Sequence, residues 1–378
     1  MQFKCLFQFS LLILFVFSSC SLDSSNHVIE DINGVKYIRN YDSLWDENPG
    51  VRLEFVRKIG VMDGTDPNYL LHIPVDVVVD SDNNTYIADA GNHRVQKFSS
   101  DGEYLATIGR QGQGPGEFSG DLRCMDIHND TLFVVYSNVV VQKFLIDGTP
   151  LDRVRGINDM THLRHFSTGG LIHDRIIELS GRQIGNWNYA SQNNELVIVF
   201  SEKDGTIINR IAPPVMFDDP IETQKANYIS YDIDKDDNIY ISFDNLNRID
   251  KYSAEGKHIS SFDRPLKFET TDKPEWMDTG RGLSPHFIPV STSTGIDSEN
   301  RVWVVTLNID ILNNRQQAIE KEGNIFDFHI FSSEGLFLGS IPVPVSFKSF
   351  KIRIFGSRLF IIENVNEMCI QEYRIIEN

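Results

Sequence analysis

The sequence has little positive charge for its length and no basic cluster. Its 35 Lys and Arg stand against 53 Asp and Glu, which leaves a formal net charge of −18 at pH 7. Nucleic-acid binding depends on Lys and Arg that neutralise phosphates, so this acidity argues against DNA or RNA as a partner. The same acidity favours solubility.

A long apolar run is also missing. The longest, Leu6–Phe17, has about a dozen residues, which is too short to span a bilayer and typical of a signal peptide. Lys4 precedes it, and Ser18-Ser19 follow it directly before Cys20. We therefore predict that residues 1–19 are a signal peptide, whose removal loses Lys4 and no acid and changes the net charge from −18 to −19.

The small residues before Cys20 resemble the cleavage box of bacterial lipoproteins, although Phe17 stands where Leu is usual. The resemblance implies that Cys20 is the lipidated mature N-terminus, and Ser21 after it implies the outer membrane of a Gram-negative bacterium. Residues 20–50 would then hold a flexible tether and an N-terminal hairpin. The alternative is an ordinary secretory signal followed by an incidental cysteine.

Cysteine is scarce, with four in the whole chain. After processing, only Cys124 and Cys369 would remain unmodified, on predicted strands far apart in the chain. They could form a disulfide in an oxidising compartment. The simpler interpretation is two small buried apolar side chains.

Helical periodicity is absent after the N-terminus, apart from a short candidate helix at Asn314–Lys321. Instead, short β-branched or aromatic runs alternate with Asp, Asn and Gly turns. Four such runs follow one another within residues 74–118: Val75–Val79, Thr85–Ala88, Arg94–Phe98 and Tyr104–Ile108. A meander of four strands cannot bury both of its faces alone, so the unit has to be repeated.

This unit resembles a blade of the NHL-type β-propellers. The resemblance rests on Asp80, Tyr86-Ile87-Ala88-Asp89, Asn92, Arg94-Val95, Lys97-Phe98, Gly102, Gly112 and Gly114-Pro115-Gly116-Glu117-Phe118. It implies a closed ring of blades with ligands over the central channel. Such propellers include binding modules and a few enzymes, so the resemblance selects no activity.

Five further units follow the first. The fourth is the clearest copy, because Tyr240 and Tyr252 keep the spacing of Tyr86 and Phe98. The last unit ends after three strands, and we predict that Val51–Gly60 supplies its fourth strand beside Met368–Tyr373, burying Leu53, Phe55 and Ile59. The predicted fold is therefore all-β, a six-bladed β-propeller of four-stranded antiparallel blades over residues 51–378, closed by an N-terminal strand. A hairpin around Asn33-Gly34 would pack outside the ring.

The four strands of each blade, called a, b, c and d in chain order, alternate in direction. Their connections therefore fall into two groups at opposite ends of the ring. The short a–b and c–d turns lie at one end of the ring, here called the turn face. The b–c and d–a connections, which include every long segment, lie at the other end, here called the loop face. Insertions gathered on one face usually mark a binding surface.

The loop-face segments carry aromatic, amide and guanidinium side chains that suit a glycan or a peptide. The candidate ligand-binding residues are Trp187, Tyr189, Trp276, Arg281 and Arg315, with Asn92 and Arg94 nearer the first blade. Trp187 and Trp276 could instead pin long loops onto the ring without touching a ligand.

No metal or cofactor is predicted. Asp80–Asn84 resembles the start of an EF-hand loop, but it lacks the Gly and the Glu of that loop and recurs in register in two other units, which indicates hairpin turns. His162, His165 and His173 form the only local histidine cluster, but they belong to one blade, whereas a propeller metal site draws ligands from several.

Two functions remain open. The first is a lipid-anchored, non-enzymatic binding or scaffold protein that presents its loop face to a glycan, peptide or protein partner. The alternative is a metal-dependent propeller lactonase, hydrolase or lyase. That alternative requires acidic, Asn and His side chains from at least three blades to converge on the channel axis.

Overall fold

The computed structural model describes residues 25–137, 139–155, 160–167, 169–174, 195–280, 282–314, 325–345 and 350–378. These ranges form six sheets around a central channel, each with four strands in blade order, and one sheet is extended by two more strands. The predicted fold class, the number of blades and the closure are confirmed. The predicted signal peptide and Cys20 lie outside the described residues.

Three strands precede the first blade: β1 (His27–Ile32), β2 (Val35–Asn40) and β3 (Val51–Ile59). Blade 1 contains β4 (Pro74–Val79), β5 (Thr85–Asp89), β6 (Arg94–Phe98) and β7 (Tyr104–Ile108). Blade 2 contains β8 (Leu122–His128), β9 (Thr131–Tyr136), β10 (Val140–Leu145) and β11 (Pro150–Arg155). Blade 3 contains β12 (Leu163–His165), β13 (Leu171–Asp174), β14 (Val197–Phe200) and β15 (Ile207–Ile211).

Helix α1 (Pro220–Ala226) leads into blade 4, which contains β16 (Ile229–Ile233), β17 (Ile239–Phe243), β18 (Ile249–Tyr252) and β19 (His258–Phe262). A separate hairpin of β20 (Glu275–Asp278) and β21 (Leu283–His286) follows. Blade 5 contains β22 (Ser291–Ile296), β23 (Val302–Leu307), β24 (Phe326–Phe331) and β25 (Phe337–Pro342). Blade 6 contains β26 (Lys351–Phe355), β27 (Arg358–Glu363), β28 (Cys369–Glu377) and the N-terminal β3.

The hydrophobic cores lie between blades rather than within them. One core joins Val78 and Tyr86 of blade 1 to Met125 and Val134 of blade 2. Others join blade 3 to blade 4, blade 5 to blade 6, and blade 6 to blade 1. Because each blade packs both of its faces against neighbouring blades, closing the ring leaves no blade face exposed.

The Asp-rich turns on the turn face are built by one repeated set of hydrogen bonds. Asp234 Oδ1 accepts hydrogen bonds from the N–H groups of Asp236 (2.9 Å) and Asn238 (2.8 Å). Its Oδ2 accepts a hydrogen bond from the Tyr240 hydroxyl (3.2 Å). Asp80 and Asp297 make the corresponding bonds in blades 1 and 5. The interpretation of these segments as hairpin turns is confirmed.

Strand β3 closes the ring by antiparallel pairing with β28, from Val51 opposite Glu377 to Ile59 opposite Ile370. The register shifts near Val56, so the two halves of β3 bury side chains on opposite sides. Val51 packs between blades 5 and 6, whereas Ile59 packs between blades 6 and 1. The expected burial of Phe55 is wrong: its side chain lies on this outermost strand and is 55% exposed.

The N-terminal segment passes over the outside of three blades. Strand β2 extends blade 4 by parallel pairing with β19, and β1 pairs with β2 around Asn33 and Gly34, both of which have positive φ. The N–H groups of Leu44 and Trp45 then donate to carbonyls of β25 in blade 5, before β3 joins blade 6. The predicted hairpin outside the ring is confirmed.

Two elements were not predicted, the helix α1 and the β20–β21 hairpin, both in long d–a connections. Of the candidate helix at Asn314–Lys321, only Asn314 belongs to the described residues. Cys124 and Cys369 are both free and buried, in different cores, as the simpler interpretation predicted. Within the described ranges, no helix is long and apolar enough to cross a membrane.

Candidate functional site

The central channel is lined by the innermost strands of the blades and opens at both faces. In its middle, side chains that include Arg164, Tyr231 and Arg353 leave a cavity of only about 10 Å³. The turn-face mouth has a cavity of about 300 Å³, and the loop-face mouth has one of about 250 Å³. The two mouths are therefore separate candidate sites.

The turn-face mouth is occupied by ion pairs of the protein itself. Arg353 contacts Asp76 (3.1 Å) and Asp126 (3.5 Å), and Arg164 contacts Asp232 (2.6 Å). Burial would raise the pKa of Asp126, but the hydrogen bond from His165 and the nearby guanidinium groups lower the pKa below its usual value. Carboxylates from several blades do converge here, but their charges are neutralised by buried arginines.

A divalent metal does not fit the carboxylates and histidines of either mouth. Asp126 is hydrogen-bonded to His165 (3.0 Å) at the turn face, and Asp174 to His162 (2.9 Å) at the loop face, so the two histidines serve different carboxylates at opposite ends of the channel. In the described part of the chain, no group of three or more His, Cys, Asp or Glu side chains is arranged to hold a metal ion. We therefore assign no step to a metal.

The loop-face mouth combines groups of both charge signs. Its cavity is lined by Thr161, His162, Asp174, Asn227, Tyr228, Ile229, Asp244, Thr292 and Lys351. These residues come from blades 3 to 6 and from the end of α1. The cavity is thus formed jointly by several blades.

Most polar groups at this mouth are satisfied within the protein. Asp174 accepts hydrogen bonds from the N–H groups of Thr161 (3.1 Å) and His162 (2.8 Å) and from the imidazole of His162. Burial alone would raise the pKa of Asp174, but His162 and Thr161 hold it well below its usual value. The Asn227 amide bonds the backbone of Val215 and Thr223. These side chains shape the cavity walls.

Asp244 and Lys351 are the exceptions. Oδ1 of Asp244 is buried without a hydrogen-bond partner, although the residue keeps some exposed surface. Among the described residues, no carboxylate lies within 4.0 Å of Lys351 Nζ. A carboxyl and an ammonium group therefore line one cavity without an ion pair between them.

The environment of Asp244 favours its neutral form. Burial raises the pKa of this carboxyl from 3.8 to about 7, and the negative charge of Asp174 contributes to the increase. Arg264 and Lys351 act in the opposite direction. A carboxyl with a pKa near neutrality would respond strongly to a cation placed beside it.

Comparison with the other blades makes Asp244 stand out. Acidic residues also end the second strand of blades 1, 3 and 6, at Asp89, Asp174 and Glu363. Asp89 accepts from the N–H of His72 (2.7 Å), and Glu363 accepts from four successive backbone N–H groups. Asp244 lies in the same region of blade 4 but has no such bonds in the described part of the chain.

Trp276 lies on the rim of the loop face, in β20. Its Nε1 donates a hydrogen bond to Glu222 of α1 (2.7 Å), and Lys225 of α1 donates to Ser284 and Pro285 of β21. The hairpin is thereby fixed to the helix that leads into the cavity. Trp276 nevertheless remains 43% exposed, so it retains surface for a ligand.

Asn92 and Arg94 are both bonded to Asp89, at 2.8 Å and 2.9 Å. Arg94 also donates to the carbonyl oxygens of Pro67 and Leu70, which fixes the connection from blade 6 to blade 1. Neither residue lines the loop-face cavity. Their role in ligand binding stays a prediction.

The other candidates, Trp187, Tyr189, Arg281 and Arg315, lie outside the described residues. Of the seven candidates, the structure thus places Trp276, Asn92 and Arg94, and it does not bring Trp276 together with the other two. Sequence reasoning missed Asp244 and Lys351. The offset of Asp244, one position beyond that of Asp89 when Tyr240 and Tyr86 are aligned, was the available signal.

Comparison with known proteins supports the fold. Residues 71–98 match the family model of the NHL repeat. A protein of Bacteroides fragilis whose name calls it exported is similar with a TM-score of 0.59 and 14% identity, over 90% of this chain and 99% of that one. A DUF4221 family member from Bacteroides vulgatus has a TM-score of 0.59 and 12% identity, over 87% of this chain and 99% of that one.

Virginiamycin B lyase from Staphylococcus aureus has a TM-score of 0.48 and 11% identity, over 86% of this chain and 100% of that one. No curated protein matches the sequence. These similarities are at the level of the fold and carry no activity to this chain. The protein is a six-bladed β-propeller whose first blade matches the family model of the NHL repeat over residues 71–98.

Proposed function

We propose that this protein is a non-catalytic binding or scaffold propeller that takes a glycan, peptide or protein partner on its loop face. The observation that carries the proposal is the polar cavity of about 250 Å³ at the loop-face mouth, where Asp244 and Lys351 lack partners among the described residues. Ligand sites typically combine a concave surface with a few such convergent polar groups.

The rim beside this cavity supports the proposal. On the β20–β21 hairpin, Trp276, Met277 and Leu283 are 43%, 46% and 67% exposed. Tyr228, which lines the cavity itself, is 40% exposed. Exposed aromatic and apolar side chains next to a polar pocket are typical of recognition surfaces, in which aromatic anchors dominate the binding energy.

The test is binding to glycan arrays and peptide libraries, with Trp276→Ala and Trp187→Ala run beside the wild type. Phe55→Ala is the matched control, because Phe55 is an exposed aromatic residue on the outermost strand of blade 6. We expect Trp276→Ala to weaken binding about tenfold or more, as loss of an aromatic anchor does. Phe55→Ala should bind like the wild type.

Other outcomes would revise the proposal. Equal binding by the wild type and both Trp variants would exclude these anchors. Failure to bind any array or library member would contradict the binding function. Turnover of a lactone or glycosidic substrate that is lost with a chelator would favour the metal-dependent hydrolase or lyase.

The proposed location is the cell envelope, with a lipid anchor at Cys20 in the outer membrane of a Gram-negative bacterium. The lipoprotein-like box before Cys20 supports it. Mass spectrometry of the mature N-terminus should find Cys20 as the first residue, with attached acyl chains. An unmodified Cys20 or a different cleavage point would refute the anchor.

A further inference from the structure

The charges of the channel divide into those that the protein pairs and those that it leaves free. Asp76, Asp126 and Asp232 contact buried arginines, and Asp174 is bonded to His162. Asp244 and Lys351 are outside this network, yet they line the same cavity. A partly buried ionisable group is costly to charge unless a counter-charge approaches it, so a site with an unpaired carboxyl and an unpaired ammonium is suited to a ligand that supplies both counter-charges.

The two groups line one cavity but are not paired, because no ion pair within 4.0 Å joins them. The charges of the buried Arg264 and, less strongly, of Lys351 lower the pKa of Asp244. The cavity that both groups line is therefore available to a ligand. A ligand with a cation next to an anion would place the cation on Asp244 and the anion on Lys351.

The volume limits the size of this ligand. A cavity of about 250 Å³ is below the roughly 300–1,000 Å³ of pockets for drug-sized molecules. We infer that Asp244 and Lys351 form a site for a free α-amino acid, whose ammonium contacts Asp244 and whose carboxylate contacts Lys351. This inference rests on the proposed binding function of the loop-face cavity and goes beyond the glycan, peptide and protein partners proposed for the loop face.

The neighbouring groups fit this ligand class. Thr292 adds a hydroxyl to the cavity wall, which can donate to the second oxygen of a carboxylate, whereas Thr161 and His162 are bonded to Asp174. Tyr228 offers an exposed ring at the opening, and the apolar side chains of the β20–β21 hairpin lie beyond it. The α-groups would bind inside, and the amino-acid side chain would point towards the rim.

The experiment is isothermal titration of the wild-type protein with the twenty free L-amino acids. The best binder is then compared with its carboxamide, which lacks the negative charge, and its N-acetyl derivative, which lacks the positive charge. We expect each derivative to bind at least tenfold more weakly. Asp244→Asn should abolish the preference for the free amine, and Lys351→Met the preference for the free carboxylate.

Matched controls are Asp236→Asn and Lys235→Met, because both residues are exposed at the opposite, turn-face end of the ring. They should bind the amino acid like the wild type. The inference falls if no amino acid binds while the array or library screen finds a loop-face ligand, or if both derivatives bind as well as the parent. Absence of binding in both screens would overturn the proposed function as well.

Discussion

At the scale of single residues, Asp244 links the candidate site to stability. Its pKa is raised from 3.8 to about 7, so between about pH 4 and pH 7 the folded protein keeps a proton that the unfolded chain has lost. The free energy of unfolding therefore decreases as the pH rises through this window. The loss is at most about 4 kcal/mol, and less because Asp244 keeps some exposed surface.

Asp244→Asn should remove this pH dependence. The amide is neutral at every pH, so the variant should melt about 2–5 °C above the wild type at pH 8 and close to it at pH 4. Thermal unfolding followed by circular dichroism at both pH values checks this, with Asp236→Asn as the exposed control. A variant that is less stable than the wild type at pH 8 would show that the charged form of Asp244 is stabilised by a contact.

The repeated turn aspartates show how one carboxylate can fix a whole hairpin. Asp234 bonds two backbone N–H groups, the Asn238 amide and the buried Tyr240 hydroxyl. Asp234→Ala should lower the free energy of unfolding by about 2–3 kcal/mol, because charge-assisted hydrogen bonds are lost and the Tyr240 hydroxyl loses one of its partners.

Urea unfolding measures this effect, and Asp236→Ala in the same turn is the control. The Asp236 side chain is exposed, so its removal should change the free energy of unfolding by less than about 0.5 kcal/mol. Equal effects of the two substitutions would mean that turn propensity matters here and the carboxylate bonds do not.

Residue patterns predicted the blades but not the site, for a physical reason. Asp80 and Tyr86 act within one hairpin, so their spacing of 6 recurs at Asp234 and Tyr240 and at Asp297 and Trp303. Asp244 and Lys351 are 107 positions apart (351 − 244) and line one cavity because the ring curves. The local spacing of residues in the sequence carries no information on such long-range proximity.

At the scale of elements, the side chains of the closing strand β3 face different sides because of a register shift. A regular strand would point Leu53, Phe55 and Ile59 to one side, and the sequence predicts that these three residues are buried. The shift near Val56 turns Ile59 towards blade 1 instead. Bulges of this kind depend on the partner strand, so the sequence of β3 alone could not reveal it.

Substitutions in β3 should reflect this division. Ile59 is 2% exposed between blades 6 and 1, so Ile59→Ala should cost about 2–4 kcal/mol. Phe55 is 55% exposed and its ring makes an edge contact with Tyr373, so Phe55→Ala should cost less than about 1 kcal/mol. Urea unfolding of both variants checks the order, and a larger effect at Phe55 would contradict the register.

The connections on the loop face were predicted less well than the strands. The segment from blade 3 to blade 4 forms α1, capped by Asp219, whose side chain accepts hydrogen bonds from Ile221 and Glu222. A helix of seven residues has too little periodicity to detect in sequence. The β20–β21 hairpin has all four residues of β20 exposed, so no alternating burial marks it either.

At the scale of the whole molecule, the N-terminal segment from β1 to β3 lies across the outer edges of blades 4, 5 and 6. Strand β2 joins blade 4, Trp45 lies against Gly339 of blade 5, and β3 completes blade 6. A side chain at Gly339 would meet Trp45 at 2.5 Å, so this approach requires glycine. Only β3 among these parts joins the two ends of the ring.

Two truncations distinguish the contribution of the β1–β2 hairpin to stability from the contribution of ring closure by β3. A variant that starts at residue 43 loses the β1–β2 hairpin but keeps β3, so its ring stays closed and its melting temperature should fall by only a few degrees. A variant that starts at residue 61 also loses β3, which buries Val51 and Ile59 and pairs along β28. Its melting temperature should fall by more than about 10 °C, because apolar burial and a strand ladder are lost together.

The second truncation should also change the oligomeric state. Without β3, the edge of β28 is left unpaired, and an open strand edge pairs with other chains. Size-exclusion chromatography should therefore find the variant that starts at residue 61 as oligomers and the variant that starts at residue 43 as the same species as the full chain. Equal melting temperatures and elution volumes for the two truncations would mean that the ring does not depend on β3 for its closure.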